Sequence, residues 1–158
     1  MNFEQAFGAL ISHEGAYAND SRDPGKETKF GITKRDYPTL DIKNLTLADA
    51  KAIYLRDYWG RAQCDKLHPD LAFDVFDAAV NSGVGQAIRW LQRSVGVADD
   101  GVVGPLTLAA IQRLDDTSAI RARLSGHRLE FMTKLSIWDH FGRGWARRIA
   151  TNLQKVGS

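Results

Sequence analysis

A chain of 158 residues with 44% hydrophobic and 25% charged residues has the composition of a soluble globular protein, long enough for one sizeable core or two lobes sharing one. No apolar run approaches the ~20 residues a bilayer span needs, and the first twenty residues carry Glu4 and Glu14 but no Lys or Arg, so no secretory leader is expected. The net charge of +2 is uneven: residues 1–90 hold 11 Lys/Arg against 13 Asp/Glu, or −2, and residues 91–158 hold 10 against 6, or +4.

Phe3, Ala6, Phe7, Leu10 and Ile11 recur at i, i+3, i+4, i+7 and i+8, which predicts an amphipathic helix over 2–14 closed by Gly15. Glu14, four residues after Leu10 and three after Ile11, extends the apolar stripe in the last turn. Partial burial and the negative end of the helix dipole both raise a carboxyl pKa there, favouring the protonated form a general acid uses. Position alone favours an exposed, ordinary Glu at a frayed helix end. Residues 15–37 are punctuated by Asn19, Asp20, Pro24 and Gly25, so a polar loop region with room for a short hairpin follows.

Thr46 with Asp49 three residues on is a near capping box, opening a helix that runs through "LADAKAIYLRDYW". The third helix, about Asp70–Asn81, is apolar almost all round and is therefore central. Its polar positions, Asp70, Asp74, Asp77 and Asn81, make one stripe at i, i+4, i+7 and i+11, expected to be the wet edge for Asp70 and Asp74. Gly83 and Gly85 are expected to break the chain before "QAIRWLQRSVGV", Pro105 to open "LTLAAIQRL", and two helical stretches to fill 116–137 and 143–156. The fold class is mainly α, with a small irregular or β excursion at about residues 15–37.

Chemistry concentrates in that excursion. A protonated Glu on a helix facing an ionised carboxylate on a loop is the pairing that glycoside hydrolysis uses. Asp20 and Asp23 are candidates for the second carboxylate, and Thr28 and Thr33 for a hydroxyl that holds water, although each residue type is also common in turns. Tyr17, Tyr58 and Trp59 could stack on sugar rings, while Tyr54 and Tyr58 at helical spacing also suit the core, as do Trp90, Trp138 and Trp145. Cys64, the only cysteine, is read as a small buried hydrophobe. His13-Glu14 lacks a second His at position 17, which is Tyr, and His68, His127 and His140 have no metal-ligand spacing, so no metal or cofactor is expected.

The stretch "HEGAYANDSRDPGKETKFGITKRDY" resembles the signature of glycoside hydrolase family 108, roughly E-G-G-Y, N-D, D-P-G-G, T and G-I-[TS]. Glu14, Gly15, Tyr17, Asn19, Asp20, Asp23, Pro24, Gly25, Thr28, Gly31, Ile32 and Thr33 match it; Ala16 and Lys26 replace glycines. The resemblance continues through "IYLRDYWGRAQCDKLHPDLAFDVFDAAVNSGVGQAIRWLQ", and "LQRSVGVADDGVVGPLTLAAI" is similar to a predicted peptidoglycan-binding domain. It implies a lysozyme-like helical fold, a catalytic region at 1–92 and a peptidoglycan-binding-like region at 93–158, packed as one unit.

The same resemblance implies an endolysin-type muramidase that cuts the β-1,4 bond between N-acetylmuramic acid and N-acetylglucosamine. Glu14 maps onto the family's catalytic Glu, Asp23 meets the Glu–Asp spacing of phage lysozymes, and Thr28 is displaced from their Thr offset. Tyr17, Asp20, Tyr58 and Asn81 are candidate substrate contacts, Asn81 because "VNSG" matches the family. The expected partner is peptidoglycan glycan strands, with the Arg121, Arg123, Arg128, Arg143, Arg147 and Arg148 region touching an anionic wall or membrane surface. A monomer is expected, with no specific nucleic acid, stored in the host cytoplasm and released when the membrane is permeabilised. A non-catalytic peptidoglycan-binding module and a metal-dependent N-acetylmuramoyl-L-alanine amidase are the alternative classes.

Overall fold

The computed structural model describes residues 1–11, 17–19, 27–114 and 116–154. Among these are seven α-helices and one small antiparallel sheet. Helix α1 (Phe3–Ile11) opens on a reciprocal cap: Gln5 N donates to Asn2 Oδ1 at 3.0 Å and Asn2 N donates to Gln5 Oε1 at 3.1 Å. Its stripe is placed as its periodicity requires, with Phe3, Ala6 and Phe7 buried and Leu10 and Ile11 half-buried. Lys51 of the next helix is ion-paired with Glu4 on its outer face.

The excursion is a three-stranded sheet, β1 (Ala18–Asn19), β2 (Glu27–Lys29) and β3 (Ile32–Thr33), in the order β1-β2-β3. Thr28 stands opposite both Ala18 and Thr33. A two-residue turn joins β2 to β3, with Phe30 at φ 52° and Gly31 at φ 74°. Positive φ at both positions matches the right-handed strand twist but is unusual for a bulky residue. Tyr54 offsets that cost by donating its hydroxyl to Phe30 O at 3.0 Å, which pins the hairpin to the helical core.

Helix α2 (Leu47–Tyr54) starts on the expected capping box, Asp49 N donating to Thr46 Oγ1 at 3.1 Å and Thr46 N to Asp49 Oδ2 at 3.1 Å. It does not continue as α-helix through "LRDYW": Leu55–Gly60 is a π-helical segment. The wider turn rotates Trp59 fully inward, where Nε1 donates to Asp65 Oδ1 at 2.8 Å. A 3₁₀ turn at Cys64–Lys66 leads into α3 (Pro69–Ser82), whose N-cap is His68, with Nδ1 3.4 Å from Asp70 N.

Helix α3 is the centre of the molecule. Leu71, Ala72, Phe73, Val75, Phe76, Ala78 and Ala79 are all buried, and Phe76 meets Phe3, Tyr54 and Trp59 edge-on at centroid distances of 6.0, 6.2 and 5.4 Å. Gly83, at φ 88° and ψ 148°, ends it. Gly85 does not break the chain as expected. It lies in the first turn of α4 (Val84–Val95), because Gly83 alone supplies the backbone reversal and a helix tolerates glycine where its own hydrogen bonds are only starting.

Helix α4 ends on Gly96 in the left-handed conformation, α5 (Pro105–Gln112) starts on its proline, and α6 (Thr117–Thr133) is capped by Asp116, whose Oδ1 accepts from Ser118 N at 2.8 Å. Helix α7 (Trp138–Gln154) begins five residues before the expected boundary and α6 ends four before its own. The low propensity of Gly142 and Gly144 hides the first turn of α7 from a local reading, whereas packing of Trp138, Phe141 and Trp145 on one another holds it. The buried apolar cluster runs from Phe3 through α2, α3 and α4 to Ile120 and Leu124 of α6.

Candidate active-site cleft

Two clefts flank the C-terminal end of α3. The first, about 180 Å³, is lined by Leu10 and Ile11 from the last described turn of α1, Gly31 from the β2–β3 turn, Tyr54, Val80, Asn81 and Arg148. The second, about 370 Å³, is lined by Asp36, Tyr37, Asp57, Tyr58, Arg61, Gly83 and Val84. Tyr54 and Tyr58 pack ring against ring between them, at a centroid distance of 5.4 Å.

Glu14, Asp20 and Asp23 lie outside the described residues. Of the other candidates, Thr28 is half-buried in the central strand of the sheet and Asn81 is half-buried on the wall of the first cleft. Tyr58 lies in the π-helical segment and lines the second cleft. Tyr17 is exposed, its hydroxyl donating to Glu27 Oε1 at 3.1 Å, which ties it to the start of β2. Asn81, Tyr54 and the hairpin turn thus meet around one cleft, and Tyr58 faces the neighbouring one.

The second cleft contains a polar cluster that the sequence reading missed. Tyr37 donates to Asp57 Oδ2 at 2.9 Å, and Arg56 donates to both Asp57 oxygens at 2.7 Å. The Arg56 hydrogen bonds hold the Asp57 carboxyl below its usual range, helped by Tyr37 and against partial burial. Burial pushes the Tyr37 hydroxyl well above its ordinary value, and the neighbouring Asp57 adds to the shift. Burial likewise raises Tyr58. Both phenols therefore stay neutral donors at any physiological pH. No local signal marks this pair, since Tyr37 and Asp57 are twenty residues apart.

The polar stripe of α3 departs most from expectation. Asp70 is exposed, as expected, but Asp74 and Asp77 are 3% and 2% exposed. Arg121 Nε donates to Asp74 Oδ2 at 2.5 Å. Arg148 Nε donates to Asp77 Oδ1 at 2.7 Å, Asn152 Nδ2 donates to Asp77 Oδ2 at 2.9 Å, and Arg128 Nη2 lies 2.9 Å from the same oxygen. Arginines from α6 and α7 thus cover what the isolated helix would show to water. Burial holds Asp74 above its ordinary value despite Arg121 and Arg128, and its Oδ1 accepts no hydrogen bond among the described residues.

The arginine-rich C-terminal region is therefore not one outward-facing basic surface. Arg121 and Arg128 are buried and Arg148 is half-buried, while Arg123, Arg143 and Arg147 are exposed. Cys64 is buried as read, and desolvation with the Asp65 charge pushes its thiol up to about 12. Trp90 is in the core at 1% exposure, whereas Trp138 and Trp145 are half-buried in a cluster whose outer member, Phe141, is 56% exposed.

A mainly helical body, a small sheet beside the end of the first helix and a cleft between them define a lysozyme-like protein. Glycosyl hydrolase 108 matches residues 7–83 and a predicted peptidoglycan domain matches residues 86–150. Among solved structures, that of Brucella abortus SagA is 32% identical, with a TM-score of 0.88, covering 97% of this chain and 92% of that one. No curated protein matches the chain. The chain belongs to the glycosyl hydrolase 108 family. It is a peptidoglycan-degrading glycoside hydrolase, and peptidoglycan is its partner. No helix among the described residues is long and apolar enough to cross a membrane.

Proposed function

We propose that the enzyme is a muramidase, hydrolysing the β-1,4 bond between N-acetylmuramic acid and N-acetylglucosamine, with Glu14 as general acid. The observation that carries this reading is the composition of the first cleft. Its wall is the last described turn of α1, Leu10 and Ile11, facing Asn81 and the hairpin turn, and Glu14 follows Ile11 by three residues. At helical spacing, a residue four after Leu10 and three after Ile11 belongs to their face, which supports Glu14 as the acid.

In the proposed reaction the Glu14 carboxyl gives its proton to the glycosidic oxygen as the bond to the anomeric carbon breaks. A loop carboxylate stabilises the positive charge on that sugar or orients the water that completes hydrolysis. Asp23 takes this role by its spacing from Glu14, with Asp20 the other candidate. Thr28, paired across the sheet with Ala18 and Thr33, is the accessory hydroxyl. In this reading Asn81, on the wall of the first cleft, accepts or donates at an acetamido group, and Tyr17 and Tyr58, the latter lining the neighbouring cleft, contact sugar rings. The chemistry requires no metal or cofactor. The C-terminal region holds the enzyme to the wall, with exposed Arg123, Arg143 and Arg147 meeting its anionic groups.

The test compares wild type with Glu14→Gln on purified peptidoglycan, with and without a chelator, following new reducing ends and new free amines. Wild type is expected to release reducing ends with the chelator present, and Glu14→Gln to lose about 10²–10⁴-fold of that rate, the span of a general-acid contribution. Free amines in place of reducing ends would identify an amidase. Binding without release of either would leave only the wall-binding module.

A further inference from the structure

The charge balance under the cleft is unequal. Asp74 and Asp77 face Arg121, Arg128 and Arg148, two carboxylates against three guanidinium groups. Arg121 and Arg128 have side-chain exposures of 6% and 1%, whereas Arg148 is 31% exposed. The surplus positive charge therefore reaches solvent at Arg148, which lines the first cleft and is the only charged side chain among its described lining residues.

Arg148 is also held in place. Its Nε donates to Asp77 Oδ1 at 2.7 Å and its Nη2 lies 2.7 Å from the same oxygen. Asp77 is itself fixed by Arg128 and Asn152 on its other oxygen. One edge of the guanidinium is thus anchored, and Nη1 has no partner among the described residues. A planar cation, pre-oriented by a buried carboxylate and half open to a cleft, is suited to bind a carboxylate of a ligand. Asn81 and Tyr54 supply neutral polar groups around it.

Given the proposed muramidase reading, on which this rests, the ligand group has a definite chemical class. The neutral N-acetylated sugars of the glycan strand offer no anion; the carboxylates of peptidoglycan belong to the peptide arm on muramic acid. We infer that Arg148, contributed by the C-terminal region, is the specificity-determining residue of the catalytic cleft, binding a carboxylate of that peptide arm. The region matched as a peptidoglycan domain thereby completes the cleft built by the first eighty-odd residues.

The experiment measures equilibrium binding and reducing-end release for soluble peptidoglycan fragments bearing peptide arms, for the same fragments with carboxyl groups converted to amides, and for neutral N-acetylglucosamine oligomers. Wild type is expected to bind native fragments about tenfold or more tightly than amidated ones, the effect of one charge-assisted hydrogen bond. Arg148→Gln should erase that ratio while leaving binding of the two neutral ligands unchanged, Arg148→Lys should retain part of it, and Arg113→Gln, an exposed arginine at the end of α5, should keep it whole. A native-to-amidated ratio in Arg148→Gln equal to that of wild type overturns the inference. So does a uniform loss across all three ligands, which marks Arg148 as structural. Thermal unfolding of each variant separates that case from misfolding. Because binding is read apart from turnover, a wild type that binds selectively but releases no reducing ends counts against the muramidase reading and not against Arg148.

Discussion

Asp77, at 2% exposure, accepts from Arg148 and Asn152 and is ion-paired with Arg128, and its neighbour Asp74 accepts from one arginine at 3%. Removing one partner of such a buried set leaves uncompensated charge, so Asp77→Asn should destabilise the fold by about 3–5 kcal/mol in urea denaturation. Replacing both members of the simpler pair, Asp74→Leu with Arg121→Met, should be near neutral or stabilising, because the cost of dehydrating two charges is removed with their attraction. Cys64 behaves oppositely to a reactive thiol. Its folded value, about 12, lies above the ordinary 9.0, so the stability gained by burying the neutral thiol is whole below 9.0 and is lost as pH rises toward 12. Native protein near neutral pH should therefore resist alkylation, and labelling should appear only with unfolding; rapid labelling of the folded protein would contradict the burial.

Glycines separate two kinds of helix position. An added Cβ at Gly142 would lie 2.5 Å from Trp138 Cδ2, whereas at Gly144 nothing lies within 4 Å. The Trp138 indole rests against the α7 backbone at Gly142, with Trp145 and Phe141 packed behind it. Gly142→Ala should thus cost about 1–3 kcal/mol through displacement of that indole, although alanine is the better helix former. Gly144→Ala should stabilise by about 0.4–1 kcal/mol. Thermal unfolding with tryptophan fluorescence distinguishes the two. The π-helical segment at Leu55–Gly60 follows the same logic: its sequence "LRDYWG" carries ordinary helical residues, and it is the burial of Trp59 with its bond to Asp65 that selects the wider turn.

The two regions matched to different families share one hydrophobic cluster, which runs from α1, α2 and α3 into α4, α5 and α6. They also share the buried charges, since α3 supplies Asp74 and Asp77 and, among the described residues, the C-terminal helices supply the cations that cover them. The expected division at residues 92 and 93 falls inside the second matched region, which begins at residue 86, and we propose that the two regions fold as one unit. A chain ending at Val95 would expose two carboxylates and the α6-facing side of α4. It should lack a cooperative thermal transition and near-ultraviolet ellipticity while retaining helical far-ultraviolet signal. A sharp transition in that fragment would show that the first region folds alone.

Periodicity alone placed α1, α2, α3 and α5, because an amphipathic stripe, a capping box at Thr46 and a proline at position 105 are local signals. The ordered motif from Glu14 to Thr33 likewise carried the resemblance to the family, and the mainly helical class followed from the periodicity along the chain. What lay beyond local reach was every feature whose partners are distant in the chain. The Tyr37–Asp57 pair, the wider turn around Trp59 and the inward arginines each depend on residues brought together by packing. The stripe on α3 shows why: the same Asp74 and Asp77 are a solvated edge on an isolated helix and a buried ionic seam beneath α6 and α7, and only the docking of those helices decides between the two.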